Sequence, residues 1–399
     1  MVFLLYDSYA IDYNYTVMKK SKFIFILFLI TLLILLICLG MWNYLGMGGE
    51  IDKITGGANS SVERIEITPE PTPEPAIEVT PETTEEPHKP VSVVFTGDFL
   101  IGDLVKSNYD AKGMEGVISP ELLGVLNDAD ITMVNNEFPY STRGEQAKDK
   151  QYTFRLDPSY VVVAKQLGVD VAGLANNHVL DYGREALTDT MTTLEGAEIE
   201  FCGSGYDMDE AAKLVVKEID GVKYGFVASS HVIPFGHWDI ANGSPGVFTF
   251  YDSTNLVKRI EEYKQQCDYL YVFVHWGIEH TDELKEYQIR EGHAMIDAGA
   301  DAVIGMHSHC LQPMEMYQGK PIFYSLGNFI FGTNINSAAV VRLTYEEPYA
   351  EPVVEVIPTF AVSGYTDAAA GENKQEIISY LNSISETVII DEEGKMSAK

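Results

Sequence analysis

The sequence predicts an α/β fold with its chemistry at the carboxyl ends of its strands, and three observations carry that prediction. Val-, Ile- and Phe-rich segments of strand length alternate with helical patterns from residue 91 to about residue 305, the order that builds open α/β sheets. Five of the strands run into a residue able to hold a metal: Asp98, Glu137, Asn177, His275, and His307 with His309. The stretch Leu174-Ala-Asn-Asn-His-Val-Leu-Asp-Tyr-Gly183 follows the central strand and places an amide oxygen and an imidazole at the sheet edge where such folds hold ligands.

The chain has 399 residues, a hydrophobic fraction of 46% and a formal net charge of -32. It can bury a sizeable core, and its charge argues against a nucleic-acid partner. Its four cysteines, Cys38, Cys202, Cys267 and Cys310, show no metal-type spacing, and no disulfide framework is expected. Residues 1–22 form a short leading segment, with Met18 an alternative start. Residues 23–42 are almost wholly apolar after Lys19, Lys20 and Lys22. That length spans a bilayer, and the lysines place the segment before it in the cytoplasm. The expectation is a single-pass anchor at the cell membrane with the remaining chain outside; a cleaved signal peptide is the rival. Residues 43–90 are rich in Pro, Glu and Thr, including Thr-Pro-Glu-Pro-Thr-Pro-Glu-Pro at Thr68–Pro75. This composition favours a disordered, extended stalk with a reach of roughly 100 Å or more at about 3.1 Å per residue.

The folded domain is expected at 91–365. Its strands are predicted at Val91–Gly97, Ile131–Val134, Val169–Ala175, Tyr269–Val274 and Asp301–Gly305. Helices fall at Pro120–Leu126, Pro158–Leu167, Arg184–Glu195, Asn255–Gln266 and Glu283–Ala298. Hairpins form around Asp220-Gly221 and Gln318-Gly319, and later strands run over Ala339–Tyr345 and Val353–Pro358. Residues 366–399 are expected to form a tail that shows no motif, and the part after Gly371 to add little to the core.

A strand-end Asp or Asn is ordinarily a cap, and a lone His is ordinarily a satisfied surface or core group. Repetition at one structural position points instead to a shared site. Oxygen and imidazole ligands in this mixture suit divalent Mn, Fe or Zn better than Ca or Mg. Asp181, three residues beyond His178, is placed to fix the tautomer of its imidazole. Ser141 to Arg155 carries four cations against two anions; Arg155, just before the helix that feeds the central strand, is the preferred substrate contact. Asn176 is a second candidate for substrate binding.

Val94-Phe95-Thr96-Gly97-Asp98, Asn136-Glu137, Ala175 to Gly183, His275-Trp276-Gly277-Ile278-Glu279, His307-Ser308-His309 and Lys320 to Phe329 together resemble the CapA family of bacterial capsule-synthesis proteins linked to poly-γ-glutamate. The resemblance runs from about Val91 to Phe360. It implies membership of the calcineurin-like metallophosphoesterase superfamily, with a four-layer α/β/β/α sandwich over one or two metal ions. By the same resemblance Asp98, Glu137, Asn177, His275, His307 and His309 are metal ligands, and His178 is catalytic. Leu100 stands where the superfamily's first motif has a histidine, which leaves one metal position short of a ligand. Two functions follow as expectations. One is metal-dependent hydrolysis or transfer on an anionic capsule polymer or phosphoester. The other is non-catalytic holding of polymer within a capsule synthesis and export complex.

Overall fold

Strand β9 (Tyr269–His275) shows why the chain folds in layers. All seven residues of Tyr-Leu-Tyr-Val-Phe-Val-His are buried, as expected for a strand covered on both faces. The Tyr271 and Phe273 rings lie 5.0 and 6.3 Å from the ring of Phe95 in β1 (Val91–Phe99). Leu270, Val272 and Val274, on the alternate face, join a cluster with Leu256 and Ile260 of the helix Thr254–Lys264 and Met295 and Ile296 of the helix Glu286–Asp297. On the far side of the first sheet, Thr132 in β2 (Ile131–Asn136) donates from Oγ1 to the Leu126 carbonyl of the helix Pro120–Asn127. That helix starts where the side chain of Ser119 accepts from the Leu122 N–H and Pro120 occupies the first turn. The order is helix, sheet, sheet, helix.

The structure is a computed structural model that describes residues 89–399. The anchor expected at 23–42 and the stalk up to residue 88 lie outside the described residues. Among the described residues no helix is long and apolar enough to cross a membrane. The first sheet runs β17 (Val388–Ile390), β18 (Lys395–Ala398), β15 (Val353–Val362), β14 (Ile335–Tyr345), β1, β2, β3 (Val171–Gly173), β4 (Glu200–Cys202); β13 (Asn328–Ile330) pairs with β1 and β16 (Tyr365–Ala368) with β15. The second runs β11 (Met314–Tyr317), β12 (Lys320–Phe323), β10 (Ala302–Met306), β9, β7 (Val222–Ser230), β6 (Val215–Ile219). A short pair, β5 (Ser204–Gly205) and β8 (Gly246–Val247), stands apart. β1 to β4 are parallel, as are β7, β9, β10 and β12, while the remaining ladders except β1–β13 are antiparallel.

Both expected hairpins form, with Asp220-Gly221 and Gln318-Gly319 in the left-handed region that tight two-residue turns require. Two expectations are corrected. The central strand is only Val171–Gly173, because the polar run from Asn176 leaves the ladder to form a turn. The segment 366–399 is also no appendage. It forms the helix Gly371–Ile384 and β17–β18, and it buries Ile377, Ile378, Leu381, Val388, Ile390 and Met396 in the main core. β18 extends the first sheet through β15. The tail also covers the edge of the second sheet, where the Met314 and Met316 N–H groups each donate at 2.9 Å, to Ser385 Oγ and Thr387 Oγ1.

Candidate metal centre

The parallel strands of both sheets end at one cleft. Asp98 lies in register with Asn135 of β2 and with Asn328 of β13. His275 is in register with Met306 of β10, so His307 stands one residue beyond the strand end. His307 and His309 have φ of 94° and 55°. These are uncommon values for side chains of this size, and such strain gathers at functional sites.

Two groups of ligand-type atoms result, each with its atoms within 4.8 Å of one another: Glu137, His275 and His307, and Asp98, Glu137 and His309. Glu137 belongs to both. Both of its carboxylate oxygens are buried without a hydrogen-bond partner, and so is His307 Nδ1. A buried carboxylate left unpaired costs several kcal/mol, and a divalent cation between these groups removes that cost. Asn177 joins the first group, its Oδ1 2.8 Å from His275 Nε2. Asp98 is held from behind by Asn135 Nδ2 at 2.7 Å and reaches His309 Nδ1 at 3.2 Å.

The protonation states fit the same use. Burial pushes His275 well below the ordinary histidine value and His307 down to about 3, so both are neutral imidazoles with a lone pair to give. Burial alone would lower His309 too, but its hydrogen bond to Asp98 and the nearby carboxylate charges push it up to about 10. Burial and then the charge of Asp98 raise Glu137 well above the usual carboxylate range. The cation-free cluster therefore holds protons that a metal ion would displace.

Beside these groups, His178 Nδ1 lies 2.7 Å from Asp181 Oδ2. Lys150 Nζ lies 2.8 Å from the same nitrogen, so Nδ1 is engaged by both neighbours and Nε2 is the ring nitrogen left free. Lys150 Nζ forms an ion pair with Asp181 Oδ1 and donates to the Asn177 carbonyl at 2.5 Å. Asp181 also accepts from the Phe154 N–H at 2.7 Å. Burial depresses His178, opposed chiefly by Asp181. A cleft of about 390 Å³ adjoins the cluster, lined by Asn177, His307, Gly277 and Glu279 and by the apolar Val232, Pro234 and Ile278.

The structure thus brings Asp98, Glu137, Asn177, His275, His307 and His309 together, with His178 and Asp181 next to them. It does not place Arg155 among them. Arg155 is exposed, donates through Nη1 to the Arg143 and Gly144 carbonyls, and stacks on Tyr182 at 4.0 Å. Asn176 is corrected as a substrate contact. It is fully buried, its Nδ2 donates to Asn135 Oδ1 and the Asn136 carbonyl, and its Oδ1 accepts from the His178 and Val179 N–H groups. Both polar atoms of the Asn176 side chain are spent on shaping the turn. Lys150 and Asn135 join the site beyond the residues that the motifs single out. The cationic loop was the available signal for Lys150, and the doubled asparagine before Glu137 was the one for Asn135.

Parallel strands from two sheets that converge on two carboxylate–imidazole groups define an α/β protein with a candidate divalent-metal centre. The chain belongs to the family described as bacterial capsule synthesis protein PGA_cap, which it matches over residues 92–333, more than half its length. It is 31% identical over 258 residues to the PGA biosynthesis protein CapA of Bacillus subtilis (strain 168), covering 63% of this chain and 67% of that protein. It is 28% identical over 281 residues to the capsule biosynthesis protein CapA of Bacillus anthracis, covering 67% of each.

Proposed function

We propose that this chain is a metal-dependent accessory protein of capsule polymer synthesis that hydrolyses or transfers a bond in an anionic polymer or a phosphoester. One observation carries the reading: two ligand groups share the buried, unpartnered carboxylate of Glu137 and adjoin a histidine tied by Nδ1 to Asp181. The names of the two CapA relatives supply the capsule and PGA context.

Glu137, Asn177, His275 and His307 would hold one divalent ion, and Asp98, Glu137 and His309 a second, with Mn, Fe or Zn the best fit to these donors. Such ions, when bound, polarise a phosphoryl or carbonyl oxygen and stabilise charge on it. Around them, His178, its Nδ1–H bonded to Asp181, presents Nε2 to take up a proton and return it to the leaving group. Lys150 offsets the charge of Asp181 inside the wall, so the pair can stay buried. Residues 23–42, with Lys19, Lys20 and Lys22 before them, support a place outside the cytoplasmic membrane on a stalk.

A screen of the metal-loaded full chain against phosphoester and γ-glutamyl amide substrates tests the reading. The expected result is turnover that chelation abolishes and added metal restores. A second reading, polymer holding without chemistry, draws on Leu100 in place of the first-motif histidine. Metal-dependent polymer binding with no turnover of any substrate class would favour it.

A further inference from the structure

We propose that Asn328 is a ligand in its own right to a metal ion at Asp98, Glu137 and His309, and fills the position that Leu100 leaves short. The inference rests on the metal-dependent reading above. Asn328 Oδ1 lies 2.8 Å from His309 Nδ1, and the same nitrogen lies 3.2 Å from Asp98 Oδ2. An amide oxygen, a carboxylate oxygen and an imidazole nitrogen therefore face one point.

The backbone holds them there. β13 runs parallel to β1 with Asn328 in register with Asp98, so the two side chains leave neighbouring strands toward the same face. The Asp98 N–H donates to the Gly327 carbonyl at 2.9 Å. A Cβ on Gly97 would sit 1.9 Å from that carbonyl oxygen, so only glycine allows the approach. Asn328 is 7% exposed, open enough to be reached yet fixed beside Asp98.

The other ligand group has the same design. There Asn177 Oδ1 lies 2.8 Å from His275 Nε2. With Asn328 included, each group has four protein donors: Glu137, Asn177, His275 and His307 in one, Asp98, Glu137, His309 and Asn328 in the other. Carbonyl-type amide oxygens, like carboxylates, are a ligand class that suits Mn²⁺.

The test is equilibrium dialysis of the full chain against Mn²⁺ alone, with bound metal measured for wild type, Asn328→Ala, Asn328→Asp, His309→Ala and the Asn328→Ala/His309→Ala double variant. Wild type should hold two ions. Asn328→Ala should weaken one by about 10- to 100-fold or more and leave the other unchanged, while Asn328→Asp keeps both. The double variant should bind that ion more weakly than His309→Ala does, the mark of a group that acts independently of the imidazole. Wild-type affinity in Asn328→Ala, or no further loss in the double variant, would overturn the ligand assignment alone. If Asn328→Ala does not fold, a folded Asn328→Asp that lacks this ion overturns it as well. Wild type without bound Mn²⁺ would overturn both this assignment and the metal-dependent reading.

Discussion

The two halves of the candidate metal centre are built from different materials. Glu137, His275 and His307 stand at the ends of β2, β9 and β10, and the two imidazoles are neutral because burial pushes their pKa values down. Asp98, Glu137 and His309 bring a second carboxylate, and the imidazole there is raised to about 10 by its Asp98 contact and the surrounding charge. Apart from Glu137, which both groups share, the first offers two neutral imidazoles and an asparagine oxygen 2.8 Å from His275. The second is an ion pair that a metal must open by displacing a proton. One shared carboxylate therefore serves two positions with different charge and different pH response.

The largest predicted effect separates both halves from the chemistry beside them. His178→Ala should leave bound metal near its wild-type level and lower turnover by about 10²–10⁴-fold, the range for losing a general acid or base. Metal stoichiometry and turnover on the same preparation would show it. If the substitution strips metal, His178 is a ligand; if it changes neither, His178 is a turn residue. Asp181→Asn should give a milder form of the same defect.

Lys150 comes next. Its side chain is 10% exposed and pairs with Asp181, which is fully buried. Lys150→Met leaves Asp181 as an uncompensated buried charge and should destabilise the domain by about 3–5 kcal/mol, read from urea unfolding. Arg155→Met, which removes an exposed side chain bonded to its own loop and stacked on Tyr182, should cost about 1 kcal/mol or less. Equal effects would mean that the ion pair carries no special weight.

The smallest effect sharpens the contrast between the halves. Protonated His309 competes with a cation, whereas His275 and His307 are already neutral. Raising the pH by one unit, from about 8 to 9, should therefore favour binding at the Asp98 group over the His275 group by about tenfold. Calorimetric titration with Mn²⁺ across that range would measure it, and parallel slopes for the two ions would contradict the difference in protonation.

Much of the site was legible in the sequence because strand ends repeat. Asp98, Glu137, His275 and His307 each stand at or next to the end of a Val- or Phe-rich run, and a parallel sheet brings such positions together whatever its details. What sequence could not give was the direction of side chains outside the strands. Asn176 and Asn177 are chemically identical neighbours, yet the turn buries one as a scaffold and aims the other at His275. Arg155 and Lys150 share a loop of mixed charge, and the choice between them depends on the path that loop takes. The tail misled for another reason. Ile377, Ile378 and Leu381 have helical spacing, and Val388 and Ile390 alternate, but each run is short and diluted by acids until β15 and β11 are there to pack against.

The shared role of Glu137 is the claim on which the rest depends, and metal stoichiometry of the full chain tests it most directly. Wild type and Glu137→Ala would be dialysed against the same divalent metal and assayed for bound ions, with circular dichroism to establish that both are folded. Two ions per wild-type chain and loss of both in the variant are predicted, because one carboxylate is common to both groups. A folded Glu137→Ala that keeps one or both ions at wild-type affinity would contradict the account.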